Sequence, residues 1–255
     1  MRNPIFNVSA ESIMRDDLRD AYGAADWAIA QLEALEKRLK AWIDSIPYSV
    51  IEEDHAEMGK KFMKLRIDDP LPVIFNAEVG SIINSIRTSL DLLASALARR
   101  NGKQPRADRH FPIYRSMMDF IDPPNAAKRK QWLSERERTF IESLKPYKGG
   151  HDRLFALHHF DVVRKHERLI NVRIVPTTIS FSVDAYRQGM EFRPVWPDFE
   201  DGAVIAWTGI DASNCEFQMS LDVVFNEGDL VANEPVGKAL RDFWRMASLI
   251  IAEFE

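Results

Sequence analysis

Hydrophobic residues recur along this chain with two different periods, and the changes between them divide it into segments. Across residues 12–45 and just beyond, Ala28, Leu32, Leu35, Leu39, Trp42 and Ile46 follow one another at spacings of three and four, with Gln31, Glu33, Glu36, Lys37 and Lys40 between them. That spacing predicts a long amphipathic helix with one buried stripe, stopped by Pro47. The period then becomes two. Met63, Leu65 and Ile67 alternate with Lys64, Arg66 and Asp68, which marks a half-buried strand. Val50 and Ile51 supply a partner and Gly59 the turn, so residues 48–68 predict a β-hairpin, ended by Pro70 and Pro72.

The helical period returns over 75–100 with Ile82, Ile86, Leu90, Leu93 and Leu97, and Asn101-Gly102 forms its C-terminal stop. Residues 102–125 predict a loop with Pro105, Pro112, Pro123 and Pro124, packed through Phe111, Tyr114 and Phe120. A third helix is expected over 126–144, before Pro146, and a fourth over 151–169, entered through Gly149-Gly150. Beyond Leu169, Ile179, Phe181 and Val183 alternate with polar neighbours, as do Phe217, Met219, Leu221 and Val223. Residues 172–175, 190–192 and 203–207 are further strand segments, punctuated by Pro194, Pro197, Gly202 and Gly209. Pro235 opens a last helix with the stripe Val236, Leu240, Phe243, Met246, Ile250 and Ala252. The predicted class is α+β: an antiparallel helical bundle with a β-hairpin and a small C-terminal antiparallel sheet. Its segments are a bundle with inserted hairpin (1–169), a β region (170–232) and a closing helix that returns to the bundle (233–255).

Composition narrows the function classes. The 255 residues are 45% hydrophobic and 29% charged, with 15 Phe, 6 Trp and 5 Tyr, enough to build a core. A net charge of -5 argues against a dedicated nucleic-acid coat. Nothing approaches the run of about 18 apolar residues that a membrane helix needs. Residues 1–20 mix both charges without an apolar core, so no signal peptide is expected and the default compartment is the cytoplasm. Cys215 stands alone, which excludes an internal disulfide framework and a cysteine-rich zinc site. It reads as a small core or surface residue, and Trp196, Phe199 and Trp207 as packing in the sheet or its turns.

The candidate chemistry lies on two helices. Asn84, Arg87 and Asp91 are three and four apart and share a face of the second helix. On the fourth, at about 100° per residue, Leu154, Phe155, Val162 and Leu169 mark the apolar side. His158, Asp161 and Lys165 project to that side or its edge, and His159 and His166 lie on its opposite flank. Charges turned inward need partners, and Arg87 and Asp91 are the candidates for Asp161 and Lys165. One reading is a structural ion-pair network tying two helices together. Another is an anion-binding cleft in which Arg87, Lys165 and His166 bind RNA or another phosphate-bearing ligand and His166 moves protons. His158, His159, Asp161 and His166 also raise a metal site. Adjacent histidines diverge by about 100°, Val162 holds the position four beyond His158, and HExxH is absent, so neither metal nor cofactor is expected. Lys128, Arg129, Lys130, Arg136 and Arg138 with Trp132 and Phe140 read as a solvated basic face over a buried stripe, or as a nucleic-acid contact. No P-loop, GxSxG or GxGxxG frame occurs.

The stretch Ile83-Asn84-Ser85-Ile86-Arg87-Thr88-Ser89-Leu90-Asp91-Leu92-Leu93 resembles the HNLRSALDHL segment of a family of uncharacterised bacterial proteins. Residues 161–169, with Asp161, Lys165 and His166, are similar to that family's later NxDKHRxL motif, and Phe111-Pro112-Ile113 matches an FPI segment between the two. Its arginine-bearing helix resembles HEPN-type helical bundles. That resemblance implies a metal-independent ribonuclease or toxin-like defence enzyme, paired as a homodimer, with Arg87 as the matching arginine. Leu92 holds the position of the matching histidine, and Ile83 that of the histidine before the asparagine. Two functions therefore stand as expectations. The first is a ligand-binding or interaction module, with Asn84, Asp91, His158 and Asp161 as a binding or structural network. The alternative is a nuclease in which Arg87 and Lys165 stabilise phosphate charge and His166 is the proton carrier. Exposure separates them: a sealed cluster favours the first, and an open cleft with His166 reachable favours the second.

Overall fold

The computed structural model describes residues 16–45, 48–104, 109–122, 130–187, 189–192, 200–211 and 217–255. The class is α+β, as the two periods predict. A single 3-10 turn, Asp16–Leu18, leads into α1 (Arg19–Asp44). The remaining helices are α2 (Ile74–Arg100), α3 (Met117–Ile121), α4 (Glu135–Ser143), α5 (Asp152–His166), α6 (Val183–Arg187) and α7 (Val236–Ala252). The strands are β1 (Tyr48–His55), β2 (Lys60–Ile67), β3 (Val172–Phe181), β4 (Glu191–Phe192), β5 (Val204–Gly209) and β6 (Phe217–Phe225). The chain divides into two compact units, Met1–Trp27 with Ser85–Phe155 and Trp244–Glu255, and Ala28–Asn84 with Ala156–Phe243.

The first unit is helical. Its core gathers Leu18, Ala21 and Ala25 of the first turns, Ile86, Leu90, Leu93 and Leu97 of α2, Ile141 of α4, and Ile250, Ile251 and Phe254 at the chain's end. Polar contacts fasten that end down. The Arg100 guanidinium bonds Asp17 at 2.9 Å and the Phe254 carbonyl at 3.0 Å, and the Tyr22 hydroxyl donates to Glu255 at 2.7 Å. The proline loop packs through Phe111 and Tyr114 as expected, with Phe120 half-buried against the Tyr114 and Tyr147 rings and Ile113 buried as well, but it also contains α3, whose N-cap is Ser116. Within the third predicted helix, 126–144, the helical conformation of the described residues is interrupted at 131–134 before α4 begins at Glu135. Residues 126–129, with Lys128 and Arg129, lie outside the described residues. Lys130 to Leu133 form a turn, and α4 starts at a capping box in which Ser134 accepts from the Glu137 N–H and the Glu137 carboxylate accepts from the Ser134 N–H. A paired cap fixes a start more firmly than an apolar stripe does.

The second unit carries the strands in two sheets. One is antiparallel with order β1-β2-β5-β4, and the other pairs β3 with β6. The hairpin forms as predicted, with Gly59 at φ 61° closing its turn. It does not stand apart from the later strands, because β5 joins its β2 edge through Phe62 opposite Trp207. Met63 and Leu65 of β2 meet Ile205 and Ala206 of β5, Ala185 of α6 and Met190 in one buried cluster. Two predicted strand segments, 172–175 and 179–183, are one strand. Pro176 sits opposite Leu221 beside a bulge at Thr177, and the strand ends at Phe181, where Ser182 caps α6 at Val183. Proline is tolerated because β3 is an edge strand, with no neighbour on that side among the described residues. Pro47, Trp196, Phe199 and Cys215 lie outside the described residues.

 The buried side of α5 also differs from the predicted stripe. Leu154, Ala156, Leu157, Phe160, Asp161 and Val163 are buried, Phe155 and Val162 are half-buried, and Leu169 lies exposed beyond the helix end. The buried side is turned away from the predicted stripe by roughly 150°.

Candidate functional site

Arg87 anchors a compact node in the first unit. One turn of α2 separates it from Asp91, and its Nη1 reaches Asp91 Oδ1 at 2.6 Å. Its Nη2 donates to the Phe111 carbonyl at 3.1 Å, and the Phe111 N–H donates to Asp91 Oδ1 at 2.8 Å. The second carboxylate oxygen faces Nδ1 of His110 at 3.2 Å. Arg87 keeps only 3% of its exposure, whereas the His110 side chain keeps 63%. The node therefore ties the FPI segment to α2 through a buried guanidinium and presents one imidazole to solvent. His110 escaped the sequence reading because it lies on a loop. Its signal was adjacency to Phe111, which the Arg87–Asp91 pair holds through backbone groups.

The candidates on α5 belong to the second unit. Asp161 is buried, and its Oδ2 accepts from Lys165 Nζ at 2.6 Å, one turn along the same helix. Lys165 is partly exposed and His166 exposed at the helix end, where cations favour the helix dipole. Asn84 and His158 are half-buried. Arg87 thus finds Asp91, and Asp161 finds Lys165, each four residues along its own helix. The spacing that placed these charges on one face also supplies their partners. Of the predicted basic face, Lys130 is buried, paired with Glu142 at 2.5 Å and 4.9 Å from the Phe120 ring centroid. Arg136 and Arg138 are exposed. Among the described residues no three His, Cys, Asp or Glu side chains gather closely enough to hold a metal, and no helix is long and apolar enough to cross a membrane.

The second unit contains a cleft of about 1090 Å³ that no single motif announces. Leu39 and Ile43 of α1 line one side, and residues 218–223 of β6 the other. Thr178 and Ser180 of β3 extend the polar wall, in register with Ser220 and Gln218. Tyr48 closes one end, where its hydroxyl donates to the Met219 carbonyl at 3.0 Å, and burial raises the pKa of that phenol. Pro235, Gly237 and Lys238 line the other part. Three of the rim's charges are already matched: Lys40 bonds Asp44 at 2.7 Å, and Glu36 takes both its bonds from Arg241 Nη2 at 2.9 and 2.7 Å. A Cβ at Gly237 would lie 2.9 Å from Glu36 Oε1, so the missing side chain leaves room for that carboxylate. The cleft has an apolar floor and a rim of hydroxyls, an amide, lysines and carboxylates.

Comparison of the chain with models of known families, with curated proteins and with solved structures found no match.

Proposed function

We propose that this protein is a binding module whose ligand occupies the cleft between α1 and β6. The observation that carries the reading is the cleft's lining, with Leu39, Ile43 and Leu221 beneath exposed Gln218 and Ser220. The burial of Arg87 and Asp161 supports the same reading, since both charges are committed to intramolecular partners. A fluorinated fragment library screened by ¹⁹F NMR tests it. Fragments should bind the wild-type protein and lose binding to Ser220→Trp, which places an indole at the exposed rim. Binding that survives in this variant, or no binding at all, would remove the cleft as the site.

The second reading is a metal-independent ribonuclease of the kind the HEPN resemblance implies. One observation favours it: Asp91 faces the exposed His110 ring, an arrangement in which a carboxylate orients an imidazole for proton transfer. RNA cleavage in EDTA by wild type, Arg87→Ala, His110→Ala and His166→Ala tests this reading, with each fold checked by circular dichroism. Cleavage lost in folded His110→Ala or His166→Ala would establish the enzyme. An inactive wild type on mixed RNA would end it.

A further inference from the structure

The cleft opens onto the edge of a strand. Six consecutive residues of β6, 218–223, line it. Successive side chains of a strand point to opposite faces, so consecutive residues can share one cleft only along the strand's edge. The backbone directions agree. Phe225 donates its N–H to the Glu234 carbonyl at 3.0 Å, and its own carbonyl accepts from the Asn233 N–H at 2.9 Å, so both groups point away from β3. The Met219 carbonyl points the same way, toward Tyr48. Alternation along an antiparallel strand then turns the N–H and C=O of Leu221 and Val223 outward as well. Pro176 opposite Leu221 fits, since that pair exchanges no bond.

Little fills this stretch of edge. The Val223 N–H is met by the carboxylate of its own neighbour Asp222, at 2.8 Å. Leu221 is nine-tenths buried, yet among the described residues no bond to its outward N–H or C=O is present. Buried backbone groups ordinarily have partners. The chain itself provides a template at one end, where Val224 and Pro235 form an isolated antiparallel bridge beside the Phe225 bonds before α7 begins. Among the described residues Asp222 forms no ion pair, and the cleft's two lysines, Lys40 and Lys238, are paired with Asp44 and Asp242.

We propose that an extended segment of a partner protein adds to this edge as a third strand, bonding Leu221 and Val223 and bringing a basic side chain to Asp222. The proposal rests on the cleft being the binding site. In an added strand, alternate side chains fall beside Gln218, Ser220 and Asp222, and the others beside Met219, Leu221 and Val223. The partner segment therefore alternates basic or polar residues with apolar ones. Main-chain bonds supply affinity and the alternate side chains supply selectivity.

The test begins with a random peptide library selected on the full chain, followed by synthetic peptides of the selected sequences. Each peptide is N-methylated at one position at a time, and binding is measured by calorimetry. Strand addition predicts a loss of about fivefold to tenfold at every second position, with little change between, because only alternate amides bond β6. Asp222→Asn should weaken the same peptides several-fold, and Leu221→Pro should abolish their binding while circular dichroism stays native. Peptides that bind, are displaced by Ser220→Trp, and show no such alternation would overturn strand addition while leaving the cleft reading intact. Peptides unaffected by Ser220→Trp would overturn both. A dimer of the protein that Leu221→Pro dissociates, with no peptide selected, would also overturn the proposal, since the occupant is then a second copy of this chain.

Discussion

Replacing Asp91 by alanine is the sharpest test of how the Arg87 node works. The substitution takes away the acceptor 2.6 Å from Arg87 Nη1 and the acceptor of the Phe111 N–H, leaving the guanidinium with the Phe111 carbonyl at 3.1 Å. Removing one partner of a buried ion pair costs about 3–5 kcal/mol, mostly because the other charge stays behind in the interior. Asp91 is 22% exposed, so water enters part of the vacated space, and the expected cost falls to about 2–4 kcal/mol. In a chain of this length each kcal/mol moves the melting temperature by about 2–4 °C, which gives a drop of roughly 4–16 °C. The pair itself is a different quantity. Arg87→Met with Asp91→Leu removes both charges and fills similar space, so the double variant should recover most of the loss. Urea unfolding followed by circular dichroism, run on all four members of the cycle, yields the coupling, expected at about 2 kcal/mol or more. A cost below about 1 kcal/mol for Asp91→Ala, or a double variant that loses the sum of the singles, would refute the argument that burial makes this pair interdependent.

Other substitutions test the packing that surrounds the sites. Gly228 has φ 78°, and a Cβ there would lie 2.8 Å from Phe160 Cζ, so Gly228→Ala should cost about 1–3 kcal/mol in thermal or urea unfolding. Ser134→Ala should cost about 1 kcal/mol by loss of the α4 cap, and Ser134→Asp should restore most of it. Tyr22 and Tyr48 both have raised pKa values, Tyr22 through burial and then its bond to Glu255, Tyr48 through burial. Each contributes stability that is constant below the unfolded phenol's pKa of about 10 and declines as pH rises through the folded value. Tyrosinate absorbance should show two late-ionising groups, one lost in Tyr22→Phe and one in Tyr48→Phe, and wild type alone should show the full decline in stability above that pH.

Local pattern determined much of this protein. The stripe Leu32, Leu35 and Leu39 is buried along α1, and Ile82, Ile86, Leu90, Leu93 and Leu97 along α2. The alternation of Met63 and Leu65 with polar neighbours became a half-buried strand, and Gly59 and Gly102 both take the left-handed backbone that their turns need. These features depend on residues within a few positions of one another, which is the range over which helix and strand periods act. The sequence spacing also placed Arg87 with Asp91 and Asp161 with Lys165 on common helix faces, although it did not show that each pair would close on itself.

Tertiary structure decided the rest. The hairpin's β2 edge finds β5 some 140 residues on (Phe62 opposite Trp207), and backbone hydrogen bonding between strands carries no local sequence code to announce that partner. Pro176 was readable as a break, but its place on an edge strand makes it harmless. The orientation of α5 could not be fixed because an amphipathic period leaves its phase uncertain when polar residues such as Asp161 enter the buried face. His110 and the cleft depend on chain segments that come together only on folding: a loop meeting α2, and α1 meeting β6. A period sets which side of an element is apolar, whereas a site is set by which elements meet, and contacts between distant segments are formed by the whole fold.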